Sequence, residues 1–150
     1  MSQFKFRLEA LVRLREEERH QRRAALAEAY KADGILAKEA DIVAVEITDM
    51  RKRCLAATSP GRVNVDRLIA IQRFERVLGA KAQGLTQRQS RLAEEIEKRR
   101  LALVEADRQV RVLEKLRERK LETHRTDELR REVKRLDEVA ISHRRSSGRT

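Results

Sequence analysis

Residues 68–113 read LIAIQRFERVLGAKAQGLTQRQSRLAEEIEKRRLALVEADRQVRVL, and this stretch decides the fold. Alternating steps of three and four residues meet apolar side chains at eleven of fourteen positions. An apolar spacing of 3.5 residues kept this long is typical of a helix that faces one partner helix. The positions of this predicted seam are Leu68, Ile71, Glu75, Leu78, Ala82, Leu85, Gln89, Leu92, Ile96, Arg99, Leu103, Ala106, Val110 and Leu113.

The composition favours a coiled coil over a compact globule. Charged residues make up 41% of the 150 residues and aromatic residues 3%. A compact core needs large apolar side chains, whereas a heptad seam needs few, and abundant Ala, Leu, Glu, Lys and Arg are typical of coiled coils. The seam is also apolar enough to argue against disorder.

One turn-forming cluster, TSPGRVNVD at residues 58–66, divides the chain into two helices. Pro60 cannot continue a helix, and Asn64 is a favourable N-cap for the next one. We therefore predict an all-α fold, in which two long helices form an antiparallel coiled-coil hairpin in a single domain over residues 1–150. Its parts are helix one over about 4–57, a loop over 58–64, helix two over about 65–142 and a basic tail over 143–150.

The apolar positions of helix one follow two registers joined by two consecutive four-residue steps across Leu36, a stutter that locally unwinds a supercoil. Between its ends, polar residues at seam positions predict loose pairing; they are Arg15, Glu18 and Arg22. The apolar seam positions of helix one are Phe4, Leu8, Leu11, Ala25, Ala29, Ala32, Leu36, Ala40, Val43, Ile47, Met50 and Cys54.

The unequal helix lengths predict a C-terminal overhang. A fold at residues 61–62 makes the numbers of facing residues sum to about 123, so Phe4 lies beside about residue 119 and helix two extends about twenty residues further. This overhang has an apolar strip without an intramolecular partner, which predicts a docking element. The strip consists of Leu121, Leu129, Val133 and Leu136.

The net charge of +11 allows two interpretations. One is a polyanionic partner, either nucleic acid or an anionic membrane face. The other is a solvated helix surface with a basic bias, which we favour because acidic and basic residues alternate over residues 120–142. Nucleic acid is therefore an unfavoured partner.

Nothing in the sequence predicts catalysis, a metal site, a cofactor or a small-molecule substrate. His20, His124 and His143 lie far apart, the glycines form no phosphate loop, and no cleft is predicted that would tune carboxylate pKa values. The single cysteine, Cys54, lies on the seam and is interpreted as a small core residue. The chain has neither an apolar run of membrane-spanning length nor a signal peptide, so we expect a cytosolic protein.

Both ends of the chain carry motifs that resemble the FliJ family of the bacterial flagellar export apparatus. They are KFRLEALVRLRE at residues 5–16, LEKLRERK at residues 113–120 and LDEVA at residues 136–140. The resemblance covers the whole chain, including the loop near residue 60. It implies a stalk and chaperone component that is not an enzyme and lies at the cytoplasmic face of the inner membrane.

The resemblance also implies three kinds of partner: a FliI-like export ATPase hexamer, an FlhA-like export gate protein and export chaperones. It places the gate contact at four residues beside the loop, which are Ile47, Arg67, Phe74 and Leu78. We place the ATPase contact at the end holding both termini, on Phe4, Phe6, Leu8, Leu11, Leu121, Leu129, Val133 and Leu136.

Two other functions remain open at this point. One is the equivalent stalk of a virulence type III secretion system, which the same fold would serve. The other is a basic coiled-coil protein that associates with nucleic acid. Stimulation of a partner ATPase favours a stalk, and salt-dependent DNA binding favours the nucleic-acid interpretation.

Overall fold

The computed structural model describes residues 4–58, 61 and 63–147, with side chains described up to residue 144. These residues form two helices, α1 (Glu9–Ala57) and α2 (Val65–Ser147), and no strand. The only proline, Pro60, lies between them, so neither helix is interrupted by a residue without a backbone N–H. The predicted all-α hairpin with a longer second helix is confirmed.

Two helix boundaries differ from the prediction. Residues 4–6 have no regular structure and residues 7–8 form a turn, so α1 begins at Glu9 instead of residue 4. Glu9 donates its N–H to the Phe6 carbonyl at 3.2 Å, and its carboxylate suits the positive end of the helix dipole. At the other end, α2 continues to Ser147, so much of the predicted tail is helical.

The start of α2 follows the capping chemistry expected from the sequence. Asn64 Oδ1 accepts a hydrogen bond from the Arg67 N–H at 3.1 Å, and the Asn64 carbonyl accepts one from the Leu68 N–H at 3.1 Å. Asn64 is therefore the N-cap and satisfies a backbone donor that the helix leaves without a partner. In the preceding loop, Gly61 has a φ of +156°, which side chains rarely allow.

The helices divide into two compact units. The loop unit comprises Gln21–Leu103, and the terminal unit contains described residues 4–20 and 104–147. Each unit pairs a segment of α1 with a segment of α2. The prediction of a single domain over residues 1–150 stays a prediction.

The core of the loop unit is a single apolar seam. Its spacing includes the predicted stutter, because Ala32, Leu36 and Ala40 lie four residues apart and are all half-buried. Across both units, thirteen of the fourteen seam positions predicted for α2 are buried or half-buried, and Glu75 is the exposed exception. The most buried side chains of the loop unit are Ala29, Val43, Met50, Ile71, Leu78 and Leu85.

Arg99 places a charged side chain within the seam of the loop unit. Arg99 donates through Nε to Glu95 Oε1 at 2.9 Å and through Nη1 to the Ala25 carbonyl at 2.6 Å. The second bond crosses from α2 to α1 beside a small alanine, where the long side chain has room. Arg99 is thus a seam residue that links the helices by a charge-assisted hydrogen bond.

The terminal unit pairs its helices through two valines and two ion pairs. Val12 and Val110 are buried, and Val110 is fully so. Arg19 contacts Asp107 at 3.2 Å, and Arg117 approaches Glu9 at 3.8 Å. Because the residue number on α1 rises as that on α2 falls, the pairing is antiparallel.

The register of this pairing differs from the expected sum of 123. Both ion pairs give 126, and Phe4 lies against His124 instead of residue 119. Part of the difference has a geometric reason, since non-helical residues advance up to about 3.3 Å each and helical residues about 1.5 Å. Residues 4–6, which are not helical, therefore reach further along α2 than a helix would.

The antiparallel pairing predicts a short distance within one molecule. Spin labels on Arg13 and Glu114, both exposed in the terminal unit, should lie less than about 20 Å apart, since packed helix axes are 8–10 Å apart. Dipolar spectroscopy after dilution with unlabelled protein should give the same distance. A signal lost on dilution would instead show that the helices pair between molecules.

Candidate partner-binding surfaces

The N-terminal segment, residues 4–8, lies against α2 in the terminal unit. The ring of Phe4 meets the ring of His124 edge-on, with 5.6 Å between centroids and 71° between planes. Beside this contact is an open cleft of about 530 Å³ with an apolar floor and a basic rim. It is lined by Phe4, Lys5, Phe6, Arg7, Leu8, Leu116 and Lys120.

The predicted N-terminal contact residues are thus partly engaged within the molecule. Phe4, Phe6 and Leu11 are half-buried, and Leu8 is exposed. The buried residue near the start of α1 is Val12, which the periodicity of helix one did not select. Val12 lies one residue beyond the predicted Leu11. Which of the two side chains is more buried depends on the position of α2, which the spacing within helix one does not give.

Beyond His124, the side chains of α2 are almost all exposed, and we call residues 125–144 the extension. Three predicted contact residues within it, Leu129, Val133 and Leu136, are 57–64% exposed. Steps of four and three residues place them on one face of the helix. Leu121, in contrast, precedes the extension and is half-buried.

Charged residues of the extension form ion pairs within α2, each between residues close in sequence. Arg130 approaches Asp127 at 3.8 Å and Arg131 approaches Glu128 at 3.9 Å, both three residues apart. Exposed ion pairs of this kind add little stability to the helix. They therefore do not offset the cost of leaving the apolar strip in water, and they do not determine which partner binds. The apolar face remains the distinguishing feature of the extension.

In the loop unit, the four predicted gate-contact residues divide into accessible and buried side chains. Phe74 is 47% exposed and Arg67 is exposed, and their separation of seven positions places both on the same side of α2. Ile47 is half-buried on α1. Leu78 is only 3% exposed, so it packs within the loop unit and is not accessible to a partner.

Comparison with protein families gives one match. The model of the family described as "FliJ: Flagellar FliJ protein" matches residues 4–149 of this chain. The chain belongs to the FliJ family. No curated protein and no solved structure matches it significantly.

Membership of the FliJ family gives the coarse function. FliJ proteins are non-catalytic components of the flagellar type III protein export apparatus, so this chain is an export component that associates with that apparatus. The two-helix fold fits this family. The exposed apolar residues of the extension and the exposed Arg67 and Phe74 both lie on its second helix. Which partner binds which surface is a separate question, addressed under the proposed function.

Among the described residues, no three His, Cys, Asp or Glu side chains form a metal-binding group, and no polar side chain is buried. The pKa of Arg100 is raised by its hydrogen bond with Glu97, which keeps an already cationic group charged. No helix in the described part is long and apolar enough to cross a membrane.

Proposed function

We propose that the chain is the stalk of the export machinery, with its terminal unit inserted into a FliI-like ATPase hexamer. The observation that supports this is the extension, whose apolar face of Leu129, Val133 and Leu136 has no packing partner in the described chain. An exposed apolar strip on a charged helix marks a surface where another protein excludes water. The cleft beside Phe4 and Phe6 adds apolar surface in the same unit.

The mixed charges around the strip suit insertion into a ring. A pore made of six subunits meets a helix on several sides, so opposite charges on the helix can set its register without dominating affinity. The apolar strip then supplies the burial that stabilises the complex. We therefore expect removal of the apolar strip to weaken the complex more than removal of the surrounding charges.

The loop unit supplies the second contact of this proposal, with an FlhA-like export gate at the cytoplasmic face of the inner membrane. Arginine is enriched at binding hot spots and phenylalanine is enriched in interfaces, so Arg67 and Phe74 suit a partner contact. Leu78 is buried and Ile47 is half-buried, so both offer less accessible surface to this contact. Export chaperones are proposed as transient further partners, on the family resemblance alone.

Direct measurement of hydrolysis tests the stalk role. The purified chain is titrated into the purified export ATPase of the same source, and the rate of ATP hydrolysis is followed. We expect the rate to rise to a plateau, because a stalk that fills the pore favours the assembled hexamer. A rate that stays flat at saturating chain would contradict the proposal.

For the gate contact, Phe74→Ala should weaken binding to the gate protein by ~2 kcal/mol or more, because interface aromatics are common anchors. The melting temperature should change little, since about half of the ring surface is already in water. Calorimetric titration and thermal melting measure the two effects. Leu101→Ala, at another exposed site of the loop unit, is the control and should leave both unchanged. Loss of thermal stability with intact binding would assign Phe74 to the core.

A further inference from the structure

A basic excess of the chain lies around the loop. Residues 51–81, which we call the loop end, contain eight Lys or Arg residues and two acidic ones, Asp66 and Glu75. Their net charge of +6 is more than half of the +11 carried by all 150 residues. The net positive charge is therefore not spread evenly along the chain.

The described cations of the loop end form no ion pairs among the described residues. There are seven of them, and all are exposed. Elsewhere, arginines such as Arg19, Arg99 and Arg111 contact carboxylates. The seven unpaired cations are Arg51, Lys52, Arg53, Arg67, Arg73, Arg76 and Lys81.

Exposed aliphatic side chains accompany these cations. Leu55, at the end of α1, is 73% exposed, the largest exposed fraction among the large apolar residues described. Val63 and Val65 are exposed at the start of α2, and Ile69 follows one turn later. On α2, Val65, Ile69 and Arg73 succeed one another at four-residue steps, on the side opposite the buried Ile71 and Leu78. The outward face of this segment is thus both apolar and basic.

We propose that the loop end binds the surface of an anionic phospholipid bilayer. Lysine and arginine clusters are drawn to the negative potential of anionic headgroups. Aliphatic side chains beside them gain by entering the boundary between headgroups and acyl chains, and the two attractions together hold a protein that either alone would hold weakly. A phosphate backbone of nucleic acid would use the cations but leave the four aliphatic residues in water. This contact with lipid goes beyond the proposed binding of an ATPase and a gate protein.

Flotation with lipid vesicles tests the proposal on the full chain. We expect the protein to float with vesicles that mix phosphatidylglycerol and phosphatidylcholine, and to remain unbound with phosphatidylcholine alone. Salt at ~1 M should release it, because the screening length falls to about 3 Å. Equal binding to both vesicle types would overturn the proposal.

Two charge variants of equal net charge show whether the location of the cations matters. The first neutralises the loop end by Lys52→Gln, Arg53→Gln, Arg73→Gln and Arg76→Gln. The second neutralises four other exposed and unpaired cations by Arg88→Gln, Arg91→Gln, Lys98→Gln and Arg108→Gln. The first should lower the vesicle partition coefficient at least about 10-fold and the second less than about 2-fold. Equal losses would show attraction by net charge alone and would overturn the proposal.

A third variant removes the aliphatic contribution at constant charge. Leu55→Ser, Val65→Ser and Ile69→Ser should together reduce vesicle binding at least about 5-fold, because apolar area entering the bilayer is lost. Circular dichroism checks that the helices remain, and binding to duplex DNA in low salt serves as the comparison. Unchanged vesicle binding, or equal losses for DNA and vesicles, would overturn lipid insertion and favour a general polyanion site. None of these assays contains the ATPase or the gate protein, so their failure would leave the stalk role untouched.

Discussion

Termination of the chain after Arg125 should abolish its stimulation of the export ATPase while the paired helices stay folded. This truncation removes Leu129, Val133 and Leu136, which have no packing partner in the described chain. It keeps the contact of Phe4 with His124 and the ion pair of Glu9 with Arg117. Because nearly all of the described side chains that are lost are exposed, helicity per residue should remain nearly constant. Hydrolysis by the purified ATPase and circular dichroism measure the two properties.

A full-length variant separates the apolar strip from the length of the helix. Leu129→Ser, Val133→Ser and Leu136→Ser leave the chain length and the charges of the extension unchanged. If the strip provides the burial that stabilises the complex, this variant should stimulate hydrolysis as poorly as the truncated chain. Ile141→Ser, also at an exposed position but on another face of α2, is the control and should stimulate normally. A truncated chain that stimulates as well as the intact one would remove the main support for the stalk.

Replacement of Val110 by Asp should cost about 3–5 kcal/mol of stability, the second large effect, because it leaves an unpaired charge between two helices. The side chain of Val110 is 0% exposed and packs in the terminal unit, where water cannot reach the new carboxylate. Thermal melting followed by circular dichroism, together with chemical unfolding, gives the change in free energy. The loss should appear as earlier melting of the terminal unit.

Val112→Asp is the matched control for this substitution. Val112 lies two residues further along α2 and is 59% exposed, so the same chemical change puts a carboxylate in water. We expect a change in unfolding free energy within about 0.5 kcal/mol, as for surface substitutions away from packed sites. Equal destabilisation by both variants would show that the contrast in burial between the two positions is wrong.

Much of α2 could be predicted from the sequence because a helix repeats in a fixed way. Once residues 68–113 are helical, the 3.5-residue spacing determines which side chains share a face, whatever the partner is. Thirteen of fourteen predicted seam positions therefore proved buried or half-buried. The cap at Asn64 and the stutter through Leu36 were predictable for the same reason, since each depends on neighbours within four residues.

The relation between the two helices was decided by the tertiary structure. The sum of facing residue numbers in the terminal unit depends on how the two helices pack side by side, which the spacing within one helix does not determine. This packing brings Arg19 to Asp107 and buries Val12 in addition to the expected Leu11. The local pattern could not show these contacts, because they join positions 88 or more residues apart.

The candidate binding surfaces were likewise predicted in part by the sequence and in part decided by the tertiary structure. The apolar strip of Leu129, Val133 and Leu136 was visible in the sequence, because its spacing and the shorter first helix together imply an unpaired face. Whether Leu78 or Phe74 faces outward required the partner helix, since both lie within one turn on adjacent sides of α2. Packing against α1 buried Leu78 to 3% exposure and left nearly half of Phe74 in water. Periodicity thus determined which residues lie together, and the position of the second helix decided which of them a partner can reach.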